Sequence, residues 1–273
     1  MSKKTAIVTG ASSGIGRATA LQLVAQGYSV YAAARRTEKM AEAQVEGLIP
    51  TYLDITSEEA ISKLIDKIMD ETGRIDVLVN NAGYGLMGTI EETSLEEARQ
   101  QFDVNVFGLM NLTQKVLPIM RRQRQGHIIN ISSVVGRVGL PINGWYSASK
   151  HALEALSDAL RIETRPFGIK VTVIEPGAIK TEFSDVAKEK AKNVTQLEPY
   201  RQLSSRYQEM SASFSDSAAE PYEVAKVIGE IVVAKSPRPR YAVPGQAKAL
   251  LIGKRILGDR LFDWFMTRQL RWR

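Results

Sequence analysis

A doubly wound α/β fold is the architecture this sequence predicts: a parallel sheet of about seven strands with helices on both faces. Three observations carry it. Strand-like and helix-like segments alternate along most of the chain. Strand segments such as Val77-Leu78-Val79 and Val171-Thr172-Val173-Ile174 are apolar throughout, as strands covered on both faces require. The first strand also runs into a glycine-rich turn, Thr9-Gly10-Ala11-Ser12-Ser13-Gly14-Ile15-Gly16, and then into a helical pattern.

The expected strands lie at roughly 4–9, 29–34, 49–53, 75–80, 127–132, 169–174 and 240–243, with long helices around 95–120 and 146–165. Strand one rests on Ala6-Ile7-Val8, and the helix after it on Ala18, Leu21, Val24 and Ala25 at three- and four-residue spacing. A glycine turn between them makes an anion site. Free N–H groups and the positive helix end face outward, and the glycines let a diphosphate approach the main chain. The spacing is G-x-x-x-G-x-G rather than the commoner G-x-G-x-x-G. Taken alone it also fits an ordinary strand-to-helix turn; the repeating strand–helix pattern favours a nucleotide.

In such sheets the ligand lies beyond the carboxyl ends of the strands, so the residues after each strand come next. Strand two ends in Ala33-Ala34-Arg35-Arg36. NAD-binding chains usually place an acid here for the ribose hydroxyls. This chain has Ala34 and then two arginines, which would clamp a 2′-phosphate bidentately. That favours NADP(H) over NAD(H), although a solvated basic pair at a helix start has the same appearance. After strand three, Asp54 is placed to meet an adenine edge, or else to cap the helix near Ser57. Asn80-Asn81-Ala82-Gly83 follows strand four, Ser132-Ser133 strand five, and Glu175-Pro176-Gly177-Ala178-Ile179-Lys180-Thr181 strand six. Tyr146 and Lys150 stand four apart on a helix, thirteen and seventeen residues after Ser133. Singly these are cap, turn and helix-surface residues. In this order they describe a cofactor cradle followed by a proton-transfer site.

Composition narrows the choice. The 273 residues, 44 % hydrophobic, suit one large core. Without cysteine there are no disulfides, thiol nucleophiles or thiolate metal sites. His127 and His151 are the only histidines, so no metal site is expected. No signal peptide is visible and the apolar runs are too short to span a bilayer, which gives a cytoplasmic expectation. Residues 1–234 carry 26 basic and 28 acidic side chains, whereas 235–273 carry 10 and 2. The whole positive excess therefore lies in the tail. The body has no basic stripe for nucleic acid.

From Thr5 to about Thr181 the chain resembles the short-chain dehydrogenase/reductase family, in its compact single-domain branch with a Rossmann-type sheet. The resemblance rests on the glycine turn at 9–16, Asn80-Asn81-Ala82-Gly83, Asn105 in Asp103-Val104-Asn105, Ser133, Tyr146-x-x-x-Lys150 and Pro176-Gly177. It implies Tyr146 as acid/base, Ser133 and Lys150 as its helpers, and Asn105 as support for a water relay. It also implies a lysine that holds the nicotinamide ribose. The expected cofactor-binding set is then Gly10, Ser12, Ser13, Gly14, Ile15, Gly16, Arg35, Arg36, Asp54, Asn81, Ala82, Gly83, Tyr146, Lys150, Pro176, Gly177 and Thr181. Lowering a phenol of pKa ~10 by ~3 units takes ~4 kcal/mol. One ammonium at ~4 Å, at an effective dielectric near 20, supplies about that. The resemblance further implies a homodimer or homotetramer.

No motif covers residues 184–220 or the basic tail. The first, with Tyr200, Tyr207 and Phe214 spaced through it just after Phe183, is expected to be a substrate lid or a surface insertion. Tyr84, Leu86, Met87, Val134, Leu140 and Trp145 near the cleft suggest a hydrophobic ketone or alcohol. In the tail, Leu261, Phe262, Phe265, Met266 and Leu270 recur at helical spacing beside Arg260, Arg268, Arg271 and Arg273. Packing on the body or on another subunit is the first reading, and weak contact with an anionic membrane surface the second. The expected organisation is one catalytic domain over 1–245, with the lid at 184–220, and a basic amphipathic extension over 246–273. The expected enzyme is an NADP(H)-dependent carbonyl reductase or alcohol dehydrogenase. The same reaction with NAD(H), or a catalytically silent nucleotide-binding regulator, are the alternatives.

Overall fold

The computed structural model describes residues 3–182, 195 and 197–272. Its strands are β1 (Thr5–Thr9), β2 (Ser29–Ala34), β3 (Leu48–Tyr52), β4 (Val77–Asn80), β5 (Gly126–Ile131), β6 (Ile169–Pro176) and β7 (Arg240–Val243). They form one parallel sheet in the order β3-β2-β1-β4-β5-β6-β7. The chain winds outward from β1 in one direction and, after crossing over to β4, in the other. That reversal opens a crevice at the carboxyl ends of β1 and β4.

Helices cover both faces. The longer ones are α1 (Gly14–Ala25), α3 (Glu58–Thr72), α4 (Leu95–Phe102), α5 (Leu109–Gln123), α6 (Gly144–Thr164), α7 (Arg201–Asp216), α8 (Pro221–Val233) and α9 (Gly245–Gln269); α2 (Glu38–Ala41) is a single turn. On one face Ala20 and Leu23 of α1 and Val224, Ile228 and Ile231 of α8 pack on Ala6, Val8, Val30 and Ile174. On the other, α3, α5 and α6 bring Ile61, Leu64, Leu112, Val116 and Leu153 onto Ile7, Tyr31, Leu78 and Ile128. Each fully buried aliphatic side chain of this kind contributes roughly 1.5–3 kcal/mol. Adjacent strand residues thus feed opposite cores, which is why the central strands carry no polar alternation. The edge strand β3, only partly buried, tolerates Pro50 because an edge need not donate every ladder hydrogen bond.

The expected continuous helix over 95–120 is interrupted. Residues Asp103–Gly108 form a π-helical segment between α4 and α5. Two contacts account for it. Gly108 presses on the Ile55 carbonyl, where a Cβ would lie 2.4 Å from the oxygen, and Asn105 is fully buried, turned towards Tyr84. Inserting a residue into the turn reconciles both, and such bulges are frequent at functional sites.

A polar ladder crosses the second core beside the crevice. Asn80 Nδ2 donates to Asn130 Oδ1 (2.8 Å) and to Thr113 Oγ1 (2.9 Å), and Asn130 Nδ2 donates to Ser157 Oγ (2.8 Å). These bonds lock β4 to β5 and both to α5 and α6, fixing the helix that carries Tyr146.

Candidate active site

The glycine turn is held from behind. Gly10 and Gly14 have φ of 65° and 53°, a region that glycine enters without penalty. A Cβ on Gly16 would lie 2.4 Å from the Gly10 carbonyl oxygen and 2.5 Å from Asn81 Nδ2. Thr9 Oγ1 accepts from the main-chain N–H of both Asn81 and Ala82, each at 2.9 Å. Asn81 Nδ2 donates to the carbonyls of Thr9 (2.9 Å) and Gly10 (3.3 Å). The Asn81 side chain thus latches the end of β4 to the turn. Ser13 stands at the N-cap of α1 without a side-chain cap bond, and Ile15 packs on the first core. Thr181 meets Gly14, whose Cβ would lie 2.9 Å from the threonine methyl.

Beside this turn lie the residues that follow β2 and β3. Ala34 is buried, and both arginines are exposed. Arg36 Nη2 reaches Ser12 Oγ at 3.4 Å and pairs with Glu182 at 2.8 Å; Lys39 holds the other oxygen of Glu182 at 2.7 Å. Lys39 first, then Arg36, pull the Glu182 carboxyl down to about 2. Asp54 closes a turn on Thr56, accepting from its N–H (3.0 Å) and hydroxyl (2.7 Å). Those two bonds, with a smaller pull from the Arg35 charge, lower its pKa. The helix cap belongs to Ser57, whose Oγ accepts from the Ala60 N–H.

The second half of the site gathers around α6. Lys150 is buried and donates to the Ile131 carbonyl at the end of β5 at 2.9 Å. Its ammonium lies 5.9 Å from the centre of the Tyr146 ring. Tyr146 and Ser133 are joined through their hydroxyls. Ser133 also donates to the Pro176 carbonyl (3.4 Å) and accepts from the Val135 N–H (3.3 Å). Asn105 holds Tyr84 from both sides, accepting from its N–H (3.0 Å) and donating to its carbonyl (2.9 Å), and it donates to Ser149 Oγ (3.1 Å). Ser149 in turn donates to the Tyr146 carbonyl (2.8 Å). Gly83 fits against this group: a Cβ there would lie 3.0 Å from Asn105 Oδ1 and 3.6 Å from Lys150 Nζ. Gly177 follows directly, bonded through its N–H to the Val243 carbonyl. The structure brings Asn105, Ser133, Tyr146 and Lys150 together at the carboxyl edge of the sheet.

The electrostatics depart from the sequence-based expectation. Burial pushes the Tyr146 phenol up to about 12, against the Ser133 hydrogen bond that lowers it. Burial likewise brings Lys150 down to about 8, against the charge of Glu154. Burial is the largest influence on both groups, and it favours the neutral form of each. In the chain by itself Tyr146 is an acid that keeps its proton.

Several partners had no signal in the sequence. The Thr9 hydroxyl, the Ile131 carbonyl and Ser149 work through backbone bonds that no spacing announces. Tyr207 of α7 is buried, bonded to Asn143 just ahead of α6, and close enough to Tyr146 for the two phenols to interact. Around it Leu203, Ile142 and Leu270 form a third apolar cluster with Met87, Met210, Met266 and Trp272. Of the segment expected to form a lid, residues 184–194 and 196, like Phe183, lie outside the described residues. The described helix α7 packs on the loop before α6 and on the end of α9.

The main chain comes closest around Gly10, Gly14 and Gly16, where the N-terminus of α1 offers backbone donors, and at Gly83 beside Lys150. The glycines keep the turn packed closely on its neighbours and leave the N-terminus of α1 open, the arrangement that receives a nucleotide diphosphate. The class defined by this fold and this site is a nucleotide-dependent oxidoreductase. Residues 4–192 match the model of the family described as short chain dehydrogenase. The chain is 37 % identical over 242 residues to a 3-ketodihydrosphingosine reductase of Bacteroides thetaiotaomicron, covering 87 % of this chain and 86 % of that one. It is also 37 % identical to an NADPH-dependent 3-dehydrocapnine reductase of Ornithobacterium rhinotracheale, covering 97 % of each. A solved short-chain dehydrogenase from Streptomyces avermitilis superposes with a TM-score of 0.82 at 33 % identity, over all of this chain and 96 % of the other. The chain belongs to the short-chain dehydrogenase/reductase family. No described helix is long and apolar enough to cross a membrane, and no group of metal-ligating side chains occurs among the described residues.

Behind the site, Glu175 is buried at the end of β6, with Arg137 and Arg240 each at 3.6 Å. Burial first, then the charge of Glu154, raises its pKa against those arginines. A carboxyl raised on folding stabilises the fold fully below its unfolded value, near 4.5, and loses that contribution as pH rises through the folded value. Glu175→Gln is therefore expected to increase stability by on the order of 1 kcal/mol at pH 8 and to change little at pH 4. Urea denaturation at both pH values measures this. Destabilisation at pH 8 would mean that the arginine pairs outweigh burial.

Proposed function

We propose that this chain is an NADP(H)-dependent carbonyl reductase, or the corresponding alcohol dehydrogenase, for a hydrophobic substrate. The observation that carries the reading is the hydroxyl pair of Ser133 and Tyr146 beside the buried Lys150. Bound nicotinamide nucleotide would supply or take up the hydride. Ser133 hydrogen-bonds the carbonyl oxygen as charge grows on it. Tyr146, protonated throughout the neutral range, donates the proton that turns the oxygen into a hydroxyl. The Lys150 ammonium stabilises the phenolate left behind. Asn105 and Ser149 position the main chain of Tyr84 and Tyr146, and Asn105 supports a water relay.

The glycine turn with Ser12, Ser13 and Ile15, the stretch Asn81-Ala82-Gly83, Pro176-Gly177 and Thr181 would hold the nucleotide. Buried Ala34 and the exposed pair Arg35 and Arg36 support NADP(H), as does the NADPH dependence for which the Ornithobacterium relative is named. That relative and the 3-ketodihydrosphingosine reductase are both named as reductases, and the apolar cluster of Met87, Ile142, Leu203 and Met266 around Tyr207 supports a hydrophobic substrate. On this reading residues 1–245 are one catalytic domain, with α7 as the described part of a lid. The enzyme is cytoplasmic and homo-oligomeric.

Tyr146→Phe removes one hydroxyl. It is expected to lower kcat at least ~10²-fold while the Kd for NADPH stays within a factor of about two. Stopped-flow turnover with a hydrophobic ketone and fluorescence titration of NADPH measure both. Near wild-type turnover in the variant would end the acid/base assignment.

Ala34→Asp with Arg35→Ala is expected to weaken NADPH by one to two decades, the worth of a charge-assisted contact, and to leave NADH equal or better. Glu182→Gln, which frees Arg36 and Lys39 from their present partner, is expected to tighten NADPH and not NADH. A wild type that prefers NADH would leave the arginines as solvated surface.

A further inference from the structure

Helix α9 bends at Gly258, whose φ of 65° and ψ of −175° separate two helical halves. Each half buries one side: Ala247 in the first, and Phe262 and Leu270 in the second. Each also projects large apolar side chains into solvent. Ile252 and Ile256 stand four apart in the first half, 57 % and 77 % exposed; Leu261, Trp264 and Phe265 follow in the second, with Trp264 60 % exposed. Monomeric surfaces seldom gather so many large apolar side chains on one element.

The charge around them is mainly basic: Lys248, Lys254, Arg255, Arg260 and Arg268 lie on the helix against Asp259 and Asp263. Lys254 is paired with Asp259, and Arg268 stacks on Trp264 at 5.5 Å. Among the described residues no ion pair engages Arg255, Arg260 or Arg271. Trp264, Phe265, Arg268, Gln269 and Arg271 line a surface cavity of about 410 Å³, which brings two aromatic rings and two guanidinium groups to one place. The tail carries 10 basic and 2 acidic side chains, and the rest of the chain is nearly neutral. A second copy of the chain would bring the same excess of cations to a shared apolar face, and that repulsion opposes pairing. An anionic lipid surface complements both features: acyl chains take the isoleucines and aromatics, headgroup phosphates take the arginines, and tryptophan suits the boundary.

We propose that α9 is an interfacial anchor that seats the enzyme on an anionic lipid bilayer. The same helix reaches the cleft through Met266 and Leu270, which pack with Tyr207 and Leu203 of α7. Seating therefore brings the apolar wall beside Tyr146 close to the bilayer from which a hydrophobic ketone would come. Vesicle binding is read without turnover, so this proposal and the catalytic reading fail separately.

The test uses the full chain and flotation with vesicles of phosphatidylcholine alone or with phosphatidylglycerol added. The protein is expected to float only with the anionic vesicles, and less in 1 M salt, where screening shortens the reach of charge to ~3 Å. Arg255→Gln with Arg260→Gln is expected to weaken partition roughly tenfold or more. Ile256→Glu with Trp264→Glu is expected to abolish it, while reduction of a water-soluble ketone continues at the wild-type rate. Equal flotation with neutral vesicles, or none with anionic ones, would overturn the proposal. So would sedimentation showing a wild-type assembly, in the absence of lipid, that Ile256→Glu with Trp264→Glu dissolves.

Discussion

The bond from the Lys150 ammonium to the Ile131 carbonyl at the end of β5 sets the rest of the site. It ties α6 to the carboxyl edge of the sheet and thereby places Tyr146, one helical turn earlier, against Ser133 at the end of the same strand. It also fixes a charge inside the protein. A buried ammonium is costly unless its donors are met, and Lys150 answers with a carbonyl, a phenol ring and the field of Glu154. The ladder from Asn80 through Asn130 to Ser157 holds the same helix from within the core. Removing either support would free α6 to shift and take the tyrosine with it.

The same burial explains why the two key groups sit where they do on the pH scale. Desolvation favours the neutral form of each, raising the phenol to about 12 and lowering the amine to about 8. For carbonyl reduction this is a workable division. The tyrosine never lacks a proton in the physiological range, and the lysine is still mostly charged at neutrality to receive the phenolate. The expected lowering of the phenol is absent in the chain by itself, where burial outweighs the Ser133 hydrogen bond.

Much of the fold was legible because sheet burial on both faces leaves continuous apolar runs, as at Val77-Leu78-Val79, and because strands of this kind end in glycine, asparagine or serine. Tyr146 and Lys150 were legible because four-residue spacing on a helix puts both on one side. What escaped was carried by the main chain or by distant partners. Nothing in Asp103–Gly108 announces a π-helical segment; the cause is the Ile55 carbonyl, remote in sequence, against Gly108. The Asn81 amide holds the Thr9 and Gly10 carbonyls, a support for the glycine turn that the strand-end position did not announce. Glu182, which occupies Arg36 and Lys39, joins them from more than a hundred residues away. In the tail the pattern disclosed helix and charge, while the side that faces solvent became visible only once α9 was folded onto the body.

The central claim is that the charge on Lys150 supports proton transfer from Tyr146, and the pH dependence of carbonyl reduction at saturating NADPH tests it most directly. The wild type is expected to hold its kcat up to about 8 and then to lose it as the ammonium gives up its proton, with Tyr146 still protonated well beyond. Lys150→Met is expected to be slow and flat over the same range. A variant that retains the decline near 8 would assign that titration to another group and contradict the account.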